Sequence, residues 1–161
     1  MARIRFRGLE EYELMLSRLR SRTEEIAGKA IYEGAKIVAD AVKENIEALP
    51  ITRNQRGTPE NPIDGITLKQ KQGLIDSFGI TPMKLEDGVY NVKLGFDGYN
   101  DVEGEYWVNG QPNQMIARAV ESGTSFRKKH PFVRPAVAAT RHQAEAKMAQ
   151  VIDEEIEKIM K

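Results

Sequence analysis

The chain has no cysteine and only two histidines among its 161 residues. Disulfides and thiolate metal sites are therefore excluded, and a reducing compartment is permitted. His142 and Glu145 are three residues apart on a predicted helix, but His130 stands in a proline-flanked loop without a coordinating neighbour, so we expect no metal site.

The familiar motifs of catalysis and cofactor binding are missing as well. The sequence contains no Gly-rich phosphate loop, no GxSxG and no HExxH. The interpretation of the chain as a small hydrolase therefore has no group of residues to support it. We expect a protein that is not an enzyme and carries no cofactor.

An excess of either charge is also absent, because 24 basic and 24 acidic residues cancel. A surface dedicated to coating DNA needs a basic excess to neutralise phosphates and release counterions. The acidic residues of the predicted helices alternate with lysine and arginine, which is typical of solvated faces. The balance therefore argues against DNA binding as the main function.

Long apolar runs are missing too. No stretch approaches the roughly 20 apolar residues of a membrane span, and the N-terminus, MARIRFRG, lacks the apolar region of a signal peptide. We therefore expect a soluble protein without a membrane partner. The hydrophobic content of 40% is enough for one core, which predicts a single domain over residues 1–161.

Residues 3–7 alternate basic and apolar positions, which predicts a strand. Its arginines either keep a sheet edge soluble or contact phosphate.

Apolar spacing predicts three helices in the rest of the chain. Helical spacing begins at Leu9 and, after a break near residues 21–23, continues to Leu49. The part after the break is a helix of roughly 40 Å at ~1.5 Å per residue. Residues 67–78 predict a short helix capped by Gly79, and a last helix starts at Ala136.

Residues 50–66 have no sustained apolar period and contain three prolines. A loop of this length in a compact domain is usually functional or disordered. We expect it to be mobile and to be cut first by proteases, at Arg53 or Arg56.

Two strands are predicted, over residues 89–96 and 105–108, with turn signals at Asp97-Gly98 and Asn109-Gly110. Trp107 is either a core aromatic or an exposed interface anchor. The expected fold is α+β: a small antiparallel sheet packed by a long N-terminal helix and a C-terminal helix, with a long flexible loop.

The most informative segment is residues 117–135, ARAVESGTSFRKKHPFVRP. Gly123 permits a sharp turn, which Thr124 can stabilise by local hydrogen bonds. Pro131 and Pro135 hold residues 132 and 133 extended before a helix, which makes Phe132 a plug into the core. We also predict that Glu121 and Arg134 form an ion pair that clamps the two ends of the loop, the alternative being that both side chains are solvated.

Basic residues are densest at 127–130, where the segment is either a solvated loop tip or a partner contact. Other exposed basic and aromatic side chains are candidates for the same role. The candidate interface residues are Arg53, Arg56, Trp107, Arg127, Lys128 and Lys129.

Three motifs in order resemble one known family. Glu121, Gly123 and Thr124, followed by residues 131–135, resemble the "vEfGT … PFLRPA" signature of the lambdoid-phage tail-component family. Residues Ile4, Phe6, Gly8 and Leu9 resemble its N-terminal motif, and Gly73, Leu74 and Ser77 its central one. Together these motifs span most of the chain.

The resemblance implies a tail-completion, or head-tail joining, protein of long-tailed phages and prophages. Such a subunit assembles as a ring, expected to be a hexamer, at the head-proximal end of the tail, whereas the isolated subunit can be a monomer until the tail end offers a template. Its expected partners are the head connector or stopper protein and the tail tube or terminator protein, with DNA only as passing cargo. Its expected place is the virion, and the host cytoplasm during assembly. The alternative is a nucleic-acid-binding or processing protein that uses the basic segments 3–7 and 127–130.

Overall fold

The computed structural model describes residues 9–161, and the predicted strand at residues 3–7 and the motif residues Ile4, Phe6 and Gly8 lie outside them. The described chain combines helices with short antiparallel strands, which confirms the α+β prediction. In chain order the elements are α1 (Leu9–Ser21), α2 (Thr23–Glu47), α3 (Leu68–Ser77), β1 (Phe78–Ile80), β2 (Lys84–Glu86), β3 (Val89–Asn91), β4 (Leu94–Phe96), α4 (Asn113–Ser122) and α5 (Val133–Met160).

The two long helices, α2 and α5, pack against each other in antiparallel directions. Asn45 near the end of α2 donates to the Phe132 carbonyl just before α5, whereas Lys29 near the start of α2 reaches Glu155 close to the end of α5. Between these contacts a Cβ on Gly34 would lie 2.6 Å from Met148 Cγ. Glycine at this position therefore allows the helices to approach closely.

Glu155 ties the far end of this pair together. Its buried carboxylate lies 2.5 Å from Lys29 Nζ and 2.8 Å from Lys158 Nζ, with Arg22 at 4.0 Å. The hydrogen bonds from Lys158 and Lys29 hold the pKa of Glu155 at about 2. The acid is therefore ionised at neutral pH and links α5 to α2.

The four short strands form a long hairpin rather than one sheet. β1 pairs with β4 through Phe78↔Phe96, Gly79↔Gly95 and Ile80↔Leu94, and β2 pairs with β3 nearer the turn. Asp87 and Gly88 close the turn with φ of 52° and 77°, as a type I′ turn requires. We call residues 84–91 the arm and the β1–β4 pair its root.

The strand prediction for residues 89–96 was wrong in one respect, because the strand is interrupted. Lys93 N donates to the Thr81 hydroxyl at 2.8 Å instead of to a backbone carbonyl. The interruption separates β3 from β4. Gly79, predicted as a helix cap, lies in β1, because Phe78 is already extended at φ −73° and ψ 125°.

The strand predicted over residues 105–108 does not form. Gly104 and Trp107 instead exchange two backbone hydrogen bonds, of 3.0 and 3.2 Å, which close a tight turn. The neighbouring turn signals are confirmed, since Gly98 and Gly110 have φ of 63° and 88°.

The core lies between α2, the hairpin root, α4 and the start of α5. Phe132 is buried at its centre, with its ring 6.0 Å from that of Phe96, which in turn stacks on Phe78 at 5.0 Å. The prediction that Phe132 plugs the core is confirmed. None of the helices described between residues 9 and 161 is long and apolar enough to cross a membrane.

Candidate interaction site around Glu121 and Phe132

The Glu121 carboxylate caps helix α5 from outside the helix. Its oxygens accept hydrogen bonds from the backbone N–H groups of Phe132 (2.7 Å), Val133 (2.9 Å) and Arg134 (3.0 Å). The first N–H groups of a helix have no partner within the helix, and a negative charge there also interacts favourably with the helix dipole. One side chain at the end of α4 thus fixes where α5 begins.

Burial alone would raise the pKa of Glu121, but the backbone hydrogen bonds from Val133, Phe132 and Arg134 outweigh it. The pKa of Glu121 is therefore below its ordinary value. The carboxylate is charged and fully used by the backbone, so it is not free to act as a base.

The predicted approach of Glu121 and Arg134 is confirmed as a long ion pair. The shorter contacts between the two ends of the loop come from the backbone of residues 132–134, which the sequence did not predict. Arg134 Nε lies 3.9 Å from the carboxylate, and its side chain is 81% exposed. Arg134 is therefore available to a partner.

The turn after α4 follows the predicted pattern. Gly123 has φ of 74°, and a Cβ there would lie within 3.0 to 3.3 Å of Lys129. The Thr124 hydroxyl accepts from Phe126 N at 3.2 Å, and Thr124 N donates to the Arg127 carbonyl at 2.9 Å. Pro131 precedes the helix and Pro135 lies in its first turn, so both prolines occupy positions that suit their fixed φ. The extended segment predicted at residues 132 and 133 was wrong, because Phe132 has ψ of −25° and α5 begins at Val133 instead of Ala136.

Arg127 is not an exposed basic residue, which corrects its place among the candidate interface residues. Its guanidinium is buried and donates to the carbonyls of Gly65 and Gln55 and to the Gln70 side chain at 3.3 Å. Burial lowers the pKa of Arg127 below its ordinary value. Lys128 and His130 both contact the Asp64 carboxylate at the surface.

Residues 50–66, predicted to be mobile because few apolar residues hold them, make several contacts with the rest of the chain. Ile63 and Ile66 are buried, and Gly57 N and Ile63 N both donate to the Phe126 carbonyl. Lys128 N in turn donates to the Ile63 carbonyl at 2.9 Å. The segment is thus tied to the 124–128 turn, and its mobility stays a prediction against which these contacts argue.

A buried polar network behind this segment was missed by the sequence analysis. Gln70 Nε2 donates to Gln111 Oε1 at 2.9 Å, while Gln111 N donates to Asn100 Oδ1 at 3.1 Å. Gln70 also forms a capping box with Thr67 at the start of α3. The sequence signal for it was the Thr-x-x-Gln spacing, which predicts the cap but not the distant partners.

Two surface features surround the signature. The first is a pocket of about 370 Å³ lined by Trp107, Met115 and Phe126, where the Arg56 guanidinium stacks 3.6 Å from the Phe126 ring centroid. Trp107 is half-buried at the rim of this pocket, so it is neither a fully buried core aromatic nor a fully exposed interface anchor. Arg53 and Lys129 are exposed and lie outside this pocket.

The second feature is an apolar groove of about 380 Å³ on the other side of α4. Val38, Leu94 and Val137 form its walls, and the exposed Arg118 and Arg134 stand at its rim. We call it the β4 groove. The rest of its lining is Val42, Phe78, Gly95, Phe96, Gln114, Ala117, Glu121 and Val133.

Comparisons with protein-family models, curated proteins and solved structures found no match to this chain. The resemblance to the phage tail-component family therefore depends on the quoted motifs alone. Between residues 9 and 161 no cluster of three or more histidine or acidic side chains could hold a metal ion.

Proposed function

We propose that this chain is a non-enzymatic structural protein of a phage or prophage, a tail-completion subunit that forms a ring at the head-proximal end of the tail. The observation that carries the proposal is how the signature and the loop within it use their polar groups. Glu121 accepts from three backbone N–H groups, and Arg127 donates to two backbone carbonyls and to the Gln70 side chain. Such a segment sets shape, as a ring subunit requires.

The same geometry weakens the nucleic-acid alternative. Of the basic residues at 127–130, Arg127 is buried, and Lys128 and His130 contact Asp64. A duplex-binding surface needs several free cations to contact phosphates. Within the described segment 127–130, Arg127 is thus not available to phosphates, and Lys128 and His130 are paired with a carboxylate; residues 3–7 lie outside the described residues. DNA is therefore a passing cargo in this proposal.

Deleting the gene from the phage or prophage that encodes it tests the function. We expect electron microscopy of the lysate to show filled heads and separate tails, which join when purified protein is added. Complete, infectious particles from the deletion strain would overturn the proposal.

The alternative has its own test, the affinity of the purified protein for a short DNA duplex. A protein that contacts several phosphates loses orders of magnitude of affinity between low and moderate salt. We expect hardly any binding even at low salt. Tight, strongly salt-dependent binding would favour the nucleic-acid function instead.

A further inference from the structure

The tip of the arm exposes both apolar and acidic side chains. Leu85 in β2 is 59% exposed and Val89 in β3 is 62% exposed. They lie on opposite faces of the ribbon, because Leu85 pairs with Tyr90 and Val89 pairs with Glu86. Glu86 and Asp87 are also exposed. Apolar side chains exposed on such strands cost solvation and contribute nothing to this chain's own core.

The β4 groove has the complementary character. Its apolar walls include Val137, 41% exposed, and Leu94, 36% exposed, so the groove is open to solvent. Arg118 and Arg134 give its rim positive charge. The Glu121 carboxylate also lines the groove, but the backbone N–H groups at the start of α5 already bind it. A fitting occupant therefore has apolar side chains next to carboxylates.

The arm cannot fill the groove of its own subunit. The groove lies at the root, beside Leu94, and the extended chain carries Val89 about 16 Å away at ~3.3 Å per residue. Met83 N, just before β2, donates to the Tyr32 hydroxyl of α2 at 2.7 Å, which fixes the base of the arm on α2. Only another molecule can bring such a tip to this groove.

We propose that the arm of one copy of this chain docks in the β4 groove of the next copy. The ribbon enters the groove with Leu85 against one apolar wall and Val89 against the opposite one, because the two side chains lie on opposite faces. Glu86 and Asp87 face Arg118 and Arg134. Because tip and groove are different surfaces, the contact is head-to-tail, and repeating it closes a ring if the rotation allows. This inference rests on the proposed ring function and names the surfaces that would build it.

Disulfide trapping tests the contact directly, because the chain has no cysteine of its own. One preparation carries Val89→Cys at the tip, and the other carries Val137→Cys in the groove. The matched control replaces the groove variant by Met115→Cys, which is 39% exposed and lies in the Trp107 pocket. All three positions are exposed enough for the variants to fold.

The two pairs are mixed at the highest attainable subunit concentration in a glutathione redox buffer. We expect the Val89–Val137 pair to give on the order of tenfold more cross-linked dimer than the control pair, because docking raises the effective concentration of the two thiols. Equal yields, or a higher yield with Met115→Cys, would overturn the proposed contact.

A charge exchange provides the second readout. Adding Arg134→Glu to the groove variant should lower the yield several-fold, and adding Glu86→Lys to the tip variant should restore it. A yield that ignores both changes would also overturn the proposal. The deletion phenotype does not depend on these results, so failure of the contact and failure of the tail function are distinguishable.

Discussion

Replacing Glu121 by alanine should destabilise the protein more than any other single surface carboxylate, because three backbone donors lose their acceptor together. Hydrogen bonds to a charged group contribute about 1.5 to 3 kcal/mol each, and a helix cap about 0.5 to 2 kcal/mol. Water can reach Arg134 N but not the buried residue Phe132. We therefore expect a loss of about 2 to 4 kcal/mol, less than the sum of the separate bonds.

Urea unfolding followed by circular dichroism measures this loss as a lower midpoint at an unchanged slope. Glu145→Ala is the matched control, since that carboxylate contacts the exposed Arg141 at 2.9 Å and the exposed His142 at 4.0 Å, both about one turn away on α5. The control should lose no more than about 0.5 kcal/mol. A Glu121→Ala loss as small as the control's would refute the capping argument.

The same measurement decides the role of Arg134. In a double-mutant cycle with Glu121→Gln and Arg134→Met, we expect coupling of about 0 to 1 kcal/mol, as for exposed pairs. A larger coupling would restore the ion-pair clamp and would remove Arg134 from the groove rim as a free charge.

Three further predictions follow from buried groups. Phe132→Ala should cost about 3 to 5 kcal/mol in urea unfolding, and a cost below about 1 kcal/mol would mean that the ring is not in the core. Arg127→Met should lower the free energy of unfolding by about 1 to 3 kcal/mol, because buried carbonyls lose their donor. It should also speed tryptic cleavage at Arg53 and Arg56. Unchanged cleavage would mean that Arg127 does not hold that loop in place. Glu155 has a folded pKa of about 2 against an ordinary 4.5, so its stabilising contribution is complete above pH 4.5 and is lost as the pH falls toward 2. Glu155→Gln should therefore flatten the acid side of the stability profile, and an unchanged profile would contradict the link to Lys29 and Lys158.

Local patterns in the sequence predicted most of the helices and turns. The apolar spacing of α2, the position of Pro135 in α5 and the left-handed glycine at 123 are all confirmed. Each of these features is set by residues close together in the chain. The sequence could therefore predict them without knowledge of the tertiary fold.

The contacts that the sequence did not predict join distant residues. Arg127, Lys128 and Lys129 have the same charge, and only the packing of residues 55–65 selects Arg127 for burial. The Gln70–Gln111 hydrogen bond likewise joins two polar residues whose separation in sequence carries no periodic signal. The sequence correctly predicted that Glu121 joins the two ends of the loop. No sequence pattern shows whether its carboxylate binds a side chain or three backbone N–H groups.

The glycines at the root of the arm form a joint at which we expect the arm to bend. Gly79 and Gly95 face each other across β1 and β4, neither has a positive φ, and a side chain on either would meet no atom within 4 Å. The root therefore lacks, on this side, the cross-strand side-chain pair that stiffens a two-stranded ribbon. In the proposed ring, bending at this joint would change the reach of the arm while the core stays packed, and would absorb small misfits in the spacing of the subunits. Valine at both positions should stiffen the joint and slow amide hydrogen exchange in residues 84–91, and unchanged exchange would place the flexibility elsewhere.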